Sequence, residues 1–396
     1  RITNNYTLLK GLNMTNKLIL NPTENFPMYM RKDFNNISGF YVSDDIRTDD
    51  NKIIFAGRNE YTLQLNKYKN NWCNVLNSED IDIRFLSGLH AHIITFMSLG
   101  NVGDTILLLP ECAGGHYSTE KILKRLGYNV INMIPDNLNR CIDVNKTMQL
   151  IKNHKPKYAF VDRSEGLYYE DFSWIKGTNI PYCIFDCSQY LTQIISKDYI
   201  SPFEWGFNLL LSSTHKNYPG VQKAFLATKN KDEYWKKIEN GSATYISNSH
   251  PSEMFKIAQS IARIDDIKKY SKYMLNISDK FETELYNHNF PVVPKDSTKI
   301  HTQHIWVTFN NKENCYNTFL NLEKLGFLTN YRLLPYNLNY GLRLGVGAAI
   351  QQGLREDNVS DLALLFSKCY NYGFSKSLEY AADDFLKSII KQEQFI

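Results

Sequence analysis

From about residue 80 to about residue 230, short apolar runs alternate with amphipathic stretches. The runs Thr105–Leu109, Tyr128–Ile134, Tyr158–Val161, Tyr182–Phe185, Asn208–Ser212 and Ala224–Ala227 read as strands. Between them Gly88–Gly100, Thr119–Leu126 and Val144–Asn153 carry the spacing of helices. Strands that are apolar nearly throughout and separated by helices predict an α/β fold, with a mostly parallel central sheet and helices on both faces. The segment Met254–His288 reads as one long helix. After it come strand-like Ile300–Phe309, a helix around Cys315–Leu325, strand-like Gly341–Val346 and C-terminal helices. The pattern divides the chain into an N-terminal arm (1–45), a large domain (46–274) and a smaller C-terminal α+β domain (275–396). The arm holds too little apolar surface to fold alone.

Composition narrows the class. A chain of 396 residues with 43% hydrophobic and 22% charged residues is a globular protein. Its formal net charge of +4 is spread without basic runs, which implies neither a nucleic-acid nor a membrane partner. No apolar run reaches the roughly 18 residues of a spanning helix, and residues from Arg1 onward carry no secretory pattern. A cytoplasmic protein is expected. The seven cysteines are odd in number and include no CxxC pair. Reduced thiols fit that better than a disulfide framework or a metal site.

Five places hold candidate chemistry. Lys216, in Thr214-His215-Lys216, leaves the end of the run Phe207–Leu211, at the edge where open α/β sheets bind ligands. A desolvated lysine amine can form a Schiff base, although most lysines after strands are simply solvated. Asp186 ends the run Tyr182–Phe185, and a carboxylate there needs a partner. A protonated pyridine nitrogen would serve, the pairing that makes pyridoxal 5'-phosphate (PLP) an electron sink; a helix or loop cap is the plainer alternative. Ser87-Gly88 opens a helix and suits a phosphate or an ordinary N-cap. Gly114-Gly115-His116 is a turn above the same edge. Arg343, in an alternating strand, can hold a substrate carboxylate bidentately or form a surface ion pair.

Taken in order, these pieces resemble the serine hydroxymethyltransferase family of PLP enzymes, which has the aspartate-aminotransferase fold (fold type I). The resemblance rests on Asn21-Pro22-Thr23-Glu24-Asn25-Phe26, Gly57-Arg58-Asn59-Glu60-Tyr61 and Leu86-Ser87-Gly88. It continues through Gly103-Asp104-Thr105-Ile106, Gly114-Gly115-His116, Asp186 with Ser213-Thr214-His215-Lys216, and Gly341-Leu342-Arg343-Leu344-Gly345. Each motif is weak and their collinear order is strong. The resemblance implies that Lys216 forms the internal aldimine and that Asp186 pairs with the pyridine nitrogen. It sets Ser87, Gly88 and His215 toward the phosphate, and Ser164 near the cofactor's phenolic oxygen. Gly57, Ala113 and Gln189 fall at further cofactor-side positions of the family. Tyr41 matches a tyrosine that reaches the partner subunit's phosphate, so a homodimer with sites between subunits is implied. Arg343, with Thr23 where the family has serine, would take the amino-acid carboxylate.

The departures fall on the groups that run the family's particular reaction. Ser43 stands at the place of its acid/base glutamate, followed by Asp44 and Asp45, and Phe55-Ala56 replace its paired tyrosines. Ala113 stands where the family stacks a histidine on the ring, Gln189 replaces another histidine, and Gln222 replaces an arginine. The expectation is a PLP enzyme acting at Cα of a glycine-, serine- or threonine-like amino acid, by aldol, transaldol or hydroxymethyltransferase-like chemistry without folate. An aminotransferase, racemase or decarboxylase needs only the retained residues and stays open, as does a non-catalytic binding protein.

Overall fold

The computed structural model describes residues 17–20, 22, 58–246 and 249–390, without the side chains of 58–61 and 390. The chain divides into two compact units, residues 26–272 and residues 1–25 with 273–396.

The first unit is built on a seven-stranded sheet. Its strands are β1 (Asp80–Asp82), β2 (Thr105–Leu108), β3 (Asn129–Asn132), β4 (Tyr158–Val161), β5 (Tyr182–Asp186), β6 (Leu209–Ser213) and β7 (Ala224–Thr228). They lie in the order β1-β7-β6-β5-β4-β2-β3. Neighbours from β6 through β3 are parallel, and β7 runs antiparallel to both β6 and β1. Every residue of β4, β5, β6 and β7 is buried, because helices cover both faces and leave no side of these strands for water. Phe96, Ile106, Phe160, Ile184, Leu211 and Leu226 belong to one apolar cluster on this sheet. Helices α1 (Arg58–Leu76), α2 (Gly88–Leu99) and α3 (Thr119–Arg125) belong to the same unit. Gly241, in helix Glu233–Tyr245, has no room for a side chain, since a Cβ there would stand 1.8 Å from Ser98 Oγ of α2.

The segment expected as one long helix is broken. It consists of Pro251–Ser260, a 3₁₀ turn Ile261–Arg263 and Ile264–Asn287. Ser260 Oγ donates to the Ile257 carbonyl at 2.7 Å and meets Tyr218 Oη at 2.6 Å, a back-bonding serine of the kind that bends helices.

The second unit carries an antiparallel sheet of β8 (Ile305–Thr308), β9 (Asn330–Leu333) and β10 (Tyr340–Leu344), in the order β8-β10-β9. Leu18–Ile19 pairs in parallel with Phe327–Leu328. Gly345 N donates to Leu20 O at 2.9 Å, and a Cβ on Gly345 would fall 2.6 Å from Pro22 Cβ. The N-terminal segment therefore packs onto the end of the strand that carries Arg343. No helix among the described residues is long and apolar enough to cross a membrane.

Candidate active site

Parallel strands end at one edge of the large unit's sheet, and most of the expected site residues follow those ends. Asp186 is the last residue of β5, in register with Leu211 of β6, and Lys216 lies three residues beyond the end of β6. Ser164 follows β4, and Ala113 closes a single 3₁₀ turn after β2. Ser87 and Gly88 open α2 after β1, and a Cβ on Gly88 would sit 3.5 Å from Ser213 Cβ. Thr23, Tyr41 and Gly57 lie outside the described residues.

Asp186 is 8% exposed and densely bonded. Its Oδ1 accepts from Ser188 N at 2.8 Å and from Ser188 Oγ at 2.5 Å. Its Oδ2 lies 2.7 Å from His92 Nε2. Burial alone would raise its pKa, but His92, the Lys216 ammonium and Ser188 outweigh burial and leave it below the usual carboxylate value. A buried carboxylate is thereby kept charged. His92, the partner of Asp186 Oδ2, is a site neighbour that sequence reasoning missed. It sits one turn into an apolar helix, and only the strand-end carboxylate facing that helix could have signalled it.

The loop around Lys216 is pinned on both sides. Thr214 N donates to Lys223 O at 2.9 Å, and Gly220 N donates to Thr214 O at 2.8 Å. Asn217 Oδ1 accepts from Thr192 N and Thr192 Oγ1, each at 2.7 Å, and its Nδ2 donates to Gln193 Oε1 at 2.9 Å. Lys216 itself is half-buried. His215 has its pKa lowered to about 4, first by burial and then by the Lys216 charge, against a backbone hydrogen bond at Lys223. Its imidazole is neutral at pH 7.

Ser87 is the N-cap of α2, its Oγ accepting from His90 N at 3.2 Å. The loop holding Ala113 is tied to the loop holding Ser164. Gly115 bridges Arg163, Glu165 N donates to Gly114 O at 3.2 Å, and Arg163 forms a buried ion pair with Glu170. Gly114 has φ +92°, and a Cβ there would lie 2.1 Å from Glu165 O, so only glycine fits. Ala113 and Gln189 are buried, and Gln222 is exposed. Lys223, 1% exposed, donates to the carbonyls of Arg84 at 2.8 Å and Ser249 at 2.7 Å.

Arg343 belongs to the other unit. It is 4% exposed on β10, opposite Trp306 and Asn330, and its Nε donates to Asn330 Oδ1 at 3.1 Å. Buried His304 has its pKa pushed well down by burial and by the positive charges of Arg343, Lys295 and Arg332.

A lysine and a charged aspartate thus stand at neighbouring strand ends of one mostly parallel sheet. L-threonine transaldolase from Pseudomonas fluorescens, solved in its internal aldimine state, shares the fold with a TM-score of 0.89 at 16% identity. That match covers 97% of this chain and 90% of the transaldolase. The serine hydroxymethyltransferase family model matches residues 64–366, and the chain belongs to that family. Serine hydroxymethyltransferase of Picrophilus torridus is 28% identical over 309 residues, 73% of this chain and 70% of that protein. The Thermococcus onnurineus enzyme is 24% identical over 312 residues, covering 75% and 73%. The protein is accordingly a PLP-dependent transferase or lyase of the hydroxymethyltransferase type.

The residues at this edge fit PLP. The missing Cβ of Gly88 leaves a cradle bounded by Ser213 Cβ and Ser188 Oγ. Ser213 Oγ and His215 Nδ1 are buried and have no hydrogen-bond partner among the described residues. Buried polar atoms are ordinarily satisfied, so these two call for a polar group from outside the chain.

Proposed function

We propose that this protein makes and breaks a bond at Cα of a glycine-, serine- or threonine-like amino acid, by aldol or transaldol chemistry and without folate. The observation that carries the reading is Asp186, a buried carboxylate held charged beside the Lys216 loop. Lys216 is the amine that would hold the cofactor's aldehyde carbon, and Asp186 would hold the proton on the pyridine nitrogen. Ser87, Gly88 and neutral His215 would face the phosphate, Ser164 the phenolic oxygen, and Gln189 and Ala113 the ring. Arg343, with Thr23, would fix the substrate carboxylate. Gly57 and the partner subunit's copy of Tyr41 would complete the phosphate side in a homodimer. Bound PLP supplies an electron sink for the pair left on Cα when a bond there breaks.

The absence of folate from this reading rests on what is missing. Ala113 cannot stack or polarise as an imidazole does, and Ser43 and Phe55-Ala56 stand where the family keeps its acid/base glutamate and tyrosines. The transaldolase shares the fold and acts on L-threonine, which favours a β-hydroxy amino acid as substrate.

Holoenzyme incubated with threonine, with and without a second aldehyde as acceptor, tests the proposal. The expected result is folate-free release of acetaldehyde, with glycine or a new β-hydroxy amino acid as the other product. Serine cleavage that requires tetrahydrofolate, with threonine untouched, would overturn it.

A further inference from the structure

Behind Asp186 lies a chain of groups that none of the expected roles uses. His92 Nε2 is 2.7 Å from Asp186 Oδ2, and His92 Nδ1 is 3.5 Å from Thr119 Oγ1. Thr119 Oγ1 is 2.5 Å from Asp162 Oδ2. Asp162 Oδ1 accepts from His116 N at 3.3 Å. His92 and Asp162 are each 2% exposed, and Thr119 is fully buried. The ring of His92 is clamped edge-on against Phe160 with centroids 4.9 Å apart, so it cannot swing to water. Four elements build the chain: α2, the first residue of α3, and the ends of two adjacent strands. Val161 pairs with Phe185, which sets Asp162 and Asp186 as neighbouring carboxylates at one edge of the sheet.

We propose that His92, Thr119 and Asp162 form a buried proton relay in which His92 is the positioning residue of Asp186, fixing its orientation and its charge without exchange with solvent. The inference rests on the reading that Asp186 is the partner of the cofactor's ring nitrogen.

Proton accounting fixes the direction. Asp186 is charged, so His92 must present Nε2–H to it. Two arrangements satisfy the remaining contacts with the same number of protons. In one, Asp162 is a carboxylic acid that donates to Thr119 Oγ1, Thr119 donates to His92 Nδ1, and the imidazole is neutral. In the other, Asp162 is a carboxylate accepting from Thr119, which accepts from Nδ1–H of an imidazolium. They interconvert when the Asp162 proton passes to Thr119 as the Thr119 proton passes to Nδ1; one O–H bond breaks at each oxygen as one O–H and one N–H form. Burial and the nearby Asp186 charge raise the Asp162 pKa well above the usual carboxylate value, against the Thr119 hydrogen bond. Two adjacent carboxylates holding one proton between them is the expected outcome of like charges in a dry site. The titratable groups that face the relay are Lys216, Cys187 and Tyr190 at Asp186, and His116 at Asp162 and His92.

The test uses three variants and two readouts. Thr119→Val cuts the relay and leaves the His92–Asp186 contact; His92→Phe removes the contact, and His92→Gln keeps an amide donor for Asp186. On PLP-free protein, nitrogen-resolved NMR should show His92 as the Nε2–H tautomer in wild type and in Thr119→Val, with the Nδ1 resonance shifted in the variant by loss of its hydrogen bond. On PLP-loaded protein, Thr119→Val should keep cofactor affinity within about twofold. Its turnover should fall about tenfold to a hundredfold at unchanged KM, the worth of the two hydrogen bonds Thr119 makes. His92→Phe should weaken PLP affinity about tenfold or more, with His92→Gln restoring most of it. A Thr119→Val protein with wild-type Nδ1 resonance and turnover overturns the relay, as does His92→Phe with wild-type PLP affinity. A wild-type protein that shows the tautomer but binds no PLP instead overturns the cofactor reading, and the two failures are thereby told apart.

Discussion

Exchanging Asp186 for asparagine removes a charge and keeps the shape. The carboxylate accepts from Ser188 N, Ser188 Oγ and His92. Each bond to a charged acceptor contributes about 1 kcal/mol more than its neutral counterpart, so the variant forfeits ~3 kcal/mol. Burial works the other way, since an amide is cheaper to desolvate than a carboxylate, and the net destabilisation should be about 1–2 kcal/mol. For a protein of this size that lowers Tm by roughly 1–3 °C. The sign follows from the pKa: Asp186 lies below its unfolded value, so its contribution is full above that value and is lost as pH falls through the folded one. The comparison belongs at neutral pH. The neutral amide cannot hold the ring nitrogen's proton, so turnover should fall by roughly a hundredfold or more, far beyond what the stability loss explains. Calorimetry of the PLP-free protein and steady-state kinetics of the loaded one read the two effects separately. Turnover within about threefold of wild type would refute the assignment of Asp186.

Gly220→Ala would place a Cβ 2.6 Å from Thr214 O and 2.7 Å from Ile257 Cδ1, forcing the lysine loop to shift at a cost of about 1–3 kcal/mol. Tm and PLP affinity should fall together, and unchanged affinity would show that this loop does not hold Lys216. His215, with its pKa lowered to about 4 from 6.5, contributes stability that is full above pH 6.5 and is lost as pH falls toward 4. That contribution is at most about 3 kcal/mol. In His215→Gln, measured without PLP, the slope of Tm against pH across that window should flatten; an unaltered slope would show the imidazole is not held neutral.

The buried strands were legible because their sequences leave no polar side, as in Leu209-Leu210-Leu211 and Tyr182-Cys183-Ile184-Phe185. Strand β1 was not. Asp80-Ile81-Asp82 looks like a polar loop until Arg84 is seen to bond Asp82 Oδ1 at 2.9 Å and Asp82 Oδ2 at 2.7 Å inside the protein. Helix α1 also escaped notice, because its asparagines and lysines blur the apolar stripe that Leu65, Trp72 and Leu76 bury. At the site, strand-end position marked Lys216 and Asp186. His92 and Thr119 were invisible for the opposite reason: both lie on helices, and only the tertiary fold brings them to a strand end. Pattern reads which face of an element is buried, and it does not read which buried polar groups meet.

The central claim is that Lys216 is the anchor of the cofactor. Borohydride reduction of the PLP-loaded protein, followed by peptide mass spectrometry, tests it most directly. The account predicts the pyridoxyl phosphate mass on the peptide carrying Lys216 and on no other lysine, with the visible-edge absorbance lost in Lys216→Ala. Label on a different lysine, or no label on wild-type protein incubated with PLP, would contradict it.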